Sequence, residues 1–219
     1  MAYDLEEEER LAALKAWWQE YGNWVAGGVA ALLLGLAAYS GWRWYERRDA
    51  AAASVMYDEF ERALADKQIA HAREVAGGLI EHHGSTVYAV LAALGAAHAN
   101  VEAGDMAAAK AQLQWVIDKS GRPEFAALAR VRLAGILLDE KAYDAALKLL
   151  QGDVPPNASL EFADRRGDVL AAQGRSAEAR TAYGEALAKA GPQDPLRGLI
   201  QLKLDALPAA AASGSPAAK

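Results

Sequence analysis

The stretch Asp164-Arg-Arg-Gly-Asp-Val-Leu-Ala-Ala-Gln-Gly-Arg-Ser-Ala-Glu-Ala-Arg-Thr-Ala-Tyr183 reads as two helices joined by a tight turn at Ala172-Gln-Gly-Arg175. Small residues stand on either side of Gly174: Gly167 seven positions before it and Ala179 five after it. Small side chains belong at such positions because two paired helices approach closely where they cross. Leu170, Tyr183 and Ala186 extend the apolar face, and Gly191-Pro192 ends the second helix.

The same arrangement recurs toward the N-terminus. Turn signals lie at Ala65-Asp-Lys67, Glu102-Ala-Gly-Asp105 and Leu138-Asp-Glu-Lys141. Taking Lys67, Gly104, Lys141 and Gly174 as equivalent gives spacings of 37, 37 and 33 residues. Five residues after each comes an alanine (Ala72, Ala109, Ala146, Ala179), and seven before three of them a small residue (Ala97, Ala134, Gly167). A helix-turn-helix period near 34 residues is the tetratricopeptide signature. The expectation is therefore an all-α chain whose residues 46–207 form a tetratricopeptide-like solenoid of helical hairpins. The first unit is the most degenerate. The second helix of the third is cut short by Gly152 and Pro155-Pro156. A last helix from Pro195 to Leu207 caps the stack, and the Ala/Pro-rich tail, residues 208–219, reads as disordered.

Ahead of the array, Tyr21 to Trp42 is a run of 22 residues without a charge, bracketed by Glu20 and Arg43. At about 1.5 Å per helical residue such a run spans a hydrocarbon core of about 30 Å. Trp17, Trp18 and Trp24 stand at one end and Trp42 and Trp44 at the other, at the two depths amphipathic rings prefer. These observations predict a transmembrane helix over residues 21–45. The acidic lead-in, residues 1–20, argues for an uncleaved anchor, because a signal peptide begins short and basic. In that lead-in Asp4 and Glu7 read as a helix-capping pair, with Leu11, Leu14, Trp18 and Tyr21 as a stripe for the membrane surface. Arg10 and Lys15 precede the span, and Arg43, Arg47, Arg48 and Arg62 follow it, so charge counting alone puts the C-terminal part in the cytoplasm. Gly28 and Gly35 share one face of the span and offer close approach to a second helix.

Composition excludes several classes of chemistry. The chain is 53% apolar, has no cysteine and carries a formal charge of −6, which leaves no thiol catalysis and no general grip on phosphate backbones. No phosphate loop, dinucleotide fingerprint or hydrolase elbow occurs. His82-His83 point about 100° apart on a helix and read as surface residues, not as a metal site. The expectation is a non-enzymatic chain with no cofactor or metal. What remains is binding. Counting back from the turns places Leu91, Leu94, His98 and Val101 on the inner face from the second hairpin. Leu128, Val131 and Leu138 come from the third, and Glu161, Asp164 and Asp168 from the last. Such a groove for polypeptide is apolar in its middle and acidic toward its C-terminal end. For each leucine taken singly, packing against a neighbouring helix is the competing reading.

Lys15-Ala-Trp-Trp-Gln-Glu-Tyr-Gly22, the single span, Gly41-Trp-Arg-Trp44 and the run Asp164–Arg175 together resemble the YfgM-like family, ancillary subunits of the bacterial SecYEG translocon. The resemblance covers nearly the whole chain apart from the tail. It implies an inner-membrane protein with a cytoplasmic N-terminus and a periplasmic tetratricopeptide domain. It further implies association with SecYEG and with a membrane-anchored periplasmic chaperone of the PpiD type. The implied role is passing newly translocated, unfolded polypeptides to periplasmic chaperones. The alternatives are a membrane-anchored scaffold that only tethers envelope proteins, or an array facing the cytoplasm.

Overall fold

A computed structural model describes the backbone of residues 2–208 and the side chains of residues 10–208. Among the described residues there is no strand. The helices are α1 (Ala2–Ala65), α2 (Ile69–His83), α3 (Val87–Glu102), α4 (Met106–Lys119), α5 (Pro123–Asp139), α6 (Tyr143–Leu149), α7 (Ser159–Ala172), α8 (Ser176–Lys189) and α9 (Pro195–Asp205). The chain divides into two compact units, Met1–Ala51 and Ala52–Lys219. The tail beyond residue 208 and the Asp4–Glu7 capping pair fall outside the described residues and side chains.

In the second unit the four turn residues read from the sequence share one backbone conformation. Lys67, Gly104, Lys141 and Gly174 all have positive φ, at 57°, 78°, 61° and 76°. In each turn the next residue's N–H reaches back five positions: Gln68 to Ala63, Asp105 to Asn100, Ala142 to Leu137 and Arg175 to Leu170, at 2.8 to 2.9 Å. The left-handed residue itself bonds three back, completing a Schellman stop at every hairpin. The left-handed region costs an ordinary residue about 1 kcal/mol that glycine avoids. Lys67→Gly and Lys141→Gly are therefore expected to raise stability by about 0.5–1 kcal/mol each. A glycine in place of Ala111, exposed in the interior of α4, should lower stability by a similar amount. Urea unfolding of the three variants checks both signs.

The small residues sit where the crossings require them. Ala72, Ala109, Ala146 and Ala179 are at most 1% exposed, and Ala97, Ala134 and Gly167 are buried as well. Around these crossings the hydrophobic core runs along the stack as successive clusters bridged by the partly buried Trp115, Leu137 and Leu147. Phe60 at the end of α1 packs with Leu79 of α2; Val90, Leu113, Val116 and Leu133 fill the next layer. Phe162, Val169 and Leu150 join α5, α6 and α7, and Tyr183 and Ile200 close the far end. The cap is α9, entered through Asp194, whose carboxylate accepts the Leu196 N–H at 2.9 Å, with Pro195 in the first turn.

The third hairpin departs from the others as its sequence predicts, and the helix stops a few residues sooner. α6 has seven residues where α4 and α8 have fourteen. The chain then bends through Gly152 at φ 87° into a 3-10 turn at Pro156–Ala158. Arg130 of α5 holds this bend. Its Nε donates to the Leu149 carbonyl at 2.7 Å, its Nη1 to the Asp153 carbonyl at 2.9 Å, and its Nη2 to that of Gln151. The guanidinium lies 4.7 Å from the centre of the Phe162 ring.

The first unit is a helix that buries almost nothing. Its apolar stretch lies unburied and is long and apolar enough to cross a membrane. Trp17 packs on Trp18 and Tyr21 with ring centres 6.3 and 5.9 Å apart. At the other end the Trp42 indole N–H donates to Glu46 at 2.8 Å, and Arg43 donates to the Tyr39 hydroxyl at 3.1 Å. Arg48 lies over the Trp44 ring at 5.4 Å. These pairs four residues apart tie Tyr39, Trp42 and Trp44 each to a charged side chain, the arrangement suited to an apolar–aqueous boundary.

Candidate functional site

The first helices of successive hairpins, α3, α5 and α7, share a side of the repeat unit where a cavity of about 340 Å³ opens. Its walls are Ala97, His98 and Val101 of α3, Arg132, Gly135, Ile136 and Asp139 of α5, and Arg165 of α7, with Leu113 of α4 at the base. His98 and Val101 were expected there. Arg132 and Arg165 were not, and they bring two guanidinium groups, beside Asp139, into a groove expected to be apolar there. Arg132 follows Leu128 by four residues and Gly135 and Asp139 continue the stripe, so α5's periodicity held the signal. Arg165 bonds Asp168 at 3.3 Å, but its buried Nε has no partner.

The other groove candidates separate. Leu94 is a correction: it is 5% exposed and packed with Val90, Ala93 and Leu113, so the competing core reading holds for it. The helix it sits on is buried on more than one side, with Ala92, Ala93, Ala96 and Ala97 all closed to solvent. Counting residues back from a turn therefore cannot separate groove from core on α3. Leu91 is half-buried. Val131 and Leu138 are half-buried against the layer containing Ala134, Phe162 and Val169. Leu128 is 39% exposed and Glu161 is exposed.

Asp164 and Asp168 require a second correction, since they do not present free negative charge. The Lys203 ammonium of α9 donates to both Asp164 oxygens at 2.8 Å and lies 2.8 Å from Asp168 Oδ1 and 3.1 Å from Oδ2. The Tyr183 hydroxyl also donates to Asp168, at 2.8 Å. A lysine 39 residues from Asp164, joined by Arg165 on Asp168, pairs both carboxylates and leaves Glu161 as the exposed acid of the three.

Burial, followed by the negative charge and hydrogen bond of Asp168, pushes the Tyr183 hydroxyl far above its ordinary range. A group whose pKa is raised on folding stabilises the fold below its unfolded pKa, about 10 for tyrosine, and that contribution fades as pH rises beyond it. Stability is thus expected to fall from pH about 10 upward. Tyr183→Phe is expected to flatten that fall while lowering stability at neutral pH by about 1 kcal/mol through the lost hydrogen bond. A residual slope from Tyr57 should persist, because burial and then Glu61 raise its hydroxyl too. Urea midpoints measured between neutral and alkaline pH check this.

No group of three or more His, Asp or Glu side chains able to hold a metal occurs among the described residues. A helical-hairpin array together with one helix long and apolar enough to cross a membrane defines the class: a tetratricopeptide-like protein with a candidate membrane span. The family model for a tetratricopeptide repeat-like domain matches residues 15–209. Curated relatives extend over the same length. One from Neisseria gonorrhoeae is 34% identical over 94% of this chain and all of its own; one from Escherichia coli K12 is 29% identical over 92% and 96%. A third, from Haemophilus influenzae, is 28% identical over 85% of this chain and 91% of its own. Each is named as an ancillary SecYEG translocon subunit. The chain belongs to this YfgM-like family.

Proposed function

We propose that this chain is a non-enzymatic, single-pass adaptor of the bacterial inner membrane that associates with the SecYEG translocon. Residues 21–45 anchor it, and residues 46–207 take newly translocated polypeptide on the periplasmic side and pass it to a membrane-anchored chaperone of the PpiD type. The observation that carries the reading is the match over nearly the whole chain to relatives named as ancillary SecYEG translocon subunits, in a chain with one helix long and apolar enough to cross a membrane. A side of the array open along α3, α5 and α7, with His98, Val101 and Leu128 accessible beside Arg132 and Arg165, supports polypeptide capture. Shallow contacts of this kind give weak, fast-exchanging binding after ordering costs are deducted, which suits transfer.

The test has two arms. The tagged full chain should co-purify with SecYEG from detergent-solubilised membranes, and absence of SecYEG from the eluate rejects the translocon assignment. In spheroplasts the array should be digested by external protease. Its protection would favour the reading in which Arg43, Arg47, Arg48 and Arg62 keep the array in the cytoplasm.

A further inference from the structure

The shortened α6 leaves a second surface, on the side formed by the second helices of the hairpins. Between α4 and α6, with α5 as floor, lies an open trough of about 650 Å³. This is within the range of pockets that hold ligands of moderate size. Leu133 and Leu137 form its base, and Ile117, Ala111, Ala145 and Leu149 its walls. In a chain with 29 acidic and 23 basic residues, no Asp or Glu lines this trough, while Lys110, Arg130 and Lys148 do. Lys110 is held by Glu140 at 2.7 Å. Arg130 spends its donors on neutral carbonyls. Lys148, exposed on the last turn of α6, has no ion-pair partner among the described residues.

We propose that this trough docks an amphipathic segment of a partner polypeptide, one whose apolar side chains seat on Leu133, Leu137 and Leu149 while an acidic residue meets Lys148. Charge complementarity selects the occupant. An apolar floor accepts any greasy segment, whereas a lining that holds Arg130 and the unpaired Lys148, with its third cation Lys110 already paired to Glu140, attracts acidic segments and repels basic ones. Segments that lay an apolar helical face into a groove present side chains three and four residues apart, which fits a channel bounded by two helices. This surface is distinct from the cavity at His98, Arg132 and Arg165. The inference does not depend on the translocon assignment.

The experiment uses the full chain in phosphatidylcholine nanodiscs. The probes are a short fluorescein-labelled peptide with leucines at helical spacing and glutamates elsewhere, and its isomer carrying lysines in place of the glutamates. Anisotropy should show the glutamate peptide binding at least about tenfold more tightly than the lysine peptide, with the gap narrowing as salt rises. Ala111→Glu with Lys148→Glu, both at exposed positions, should reverse that preference with an unchanged thermal melt. Lys148→Gln alone should weaken the glutamate peptide severalfold and leaves the fold no new charge to accommodate. Equal binding of the two peptides by the unmodified chain overturns the proposal. So does an unchanged preference in the double variant, or an altered sedimentation of that variant without effect on the peptides, which would assign the trough to a second copy. Because no translocon is present, failure here leaves co-purification with SecYEG as a separate result.

Discussion

Gly167→Ala is expected to lower stability by about 2–3 kcal/mol, a drop in melting temperature of about 5–10 °C. Gly167 lies in the middle of α7, where glycine is ordinarily a defect and alanine a gain of up to about 1 kcal/mol. Here the sign reverses. A Cβ at this position would lie 2.4 Å from Cε1 and 2.5 Å from Cδ1 of Tyr183, well inside contact distance. The ring cannot step aside, since Tyr183 is 3% exposed and its hydroxyl is bonded to Asp168 at 2.8 Å. The helices α7 and α8 would have to separate, opening the layer formed by Leu170, Ala179 and Ala186. Gly184→Ala in α8 is the control: nothing lies within 4 Å of its added methyl, and stability should rise. On a Tyr183→Ala background, already destabilised by its cavity, Gly167→Ala should cost little further, whereas Tyr183→Phe should leave the cost intact. Urea unfolding of these variants decides whether the ring or the hydroxyl sets the constraint.

The pairing of Gly167 with Tyr183 shows what kind of information the sequence exposes. Both residues belong to the recurring pattern, so the fold and the close crossing were legible from spacing alone. So were the turns, even where Lys67 and Lys141 occupy positions that favour glycine, because four turns in phase outweigh two unfavourable residues. The interruption after α6 was legible from Gly152 and Pro155-Pro156. The long apolar helix was readable from a charge-free run and its aromatic ends. The candidate groove was much less so, because exposure is set by neighbours distant in sequence. Leu94 follows the spacing of groove residues yet is covered by Leu113 from the next helix. Asp164 and Asp168 look like an acidic surface until Lys203 arrives from the cap. Arg132 and Arg165 meet only because α5 and α7 pack together, with Gly135 admitting the Arg165 guanidinium at 3.6 Å from where its Cβ would stand. Local periodicity specifies which face of a helix is apolar, and only the assembled stack decides which of those faces is covered.

Arg130→Met should have the other large effect, and it should appear as lost cooperativity as much as lost stability. A repeat array unfolds as one unit only while each interface is strong relative to the repeats it joins. The joint between the third and fourth hairpins is where this array has least helix, because α6 ends at Leu149. Arg130 compensates by bonding the carbonyls of Leu149, Gln151 and Asp153, three acceptors that the shortened helix leaves without helical partners, and by lying over Phe162 of α7. Burial lowers the pKa of the guanidinium, against which the nearby charge of Asp153 acts to raise it, yet an arginine stays charged at any physiological pH. Bonds from a charged donor contribute about 1.5–3 kcal/mol when shielded and less where water can replace them. With Gln151 and Asp153 exposed, a total loss of about 2–3 kcal/mol follows from the Leu149 bond, the ring contact and a part of the other two. Methionine keeps the stem packed but makes none of these bonds, and Arg130→Lys, with one compact ammonium, cannot span all three carbonyls and should recover less than half. The melt of Arg130→Met should split, with α7, α8 and α9 separating from the hairpins before them. Amide exchange at residues 150–158 should accelerate, and protease should cut first in that bend. A single sharp transition at an unchanged temperature would show that the apolar layer of Phe162, Val169 and Leu150 joins the two halves without the arginine.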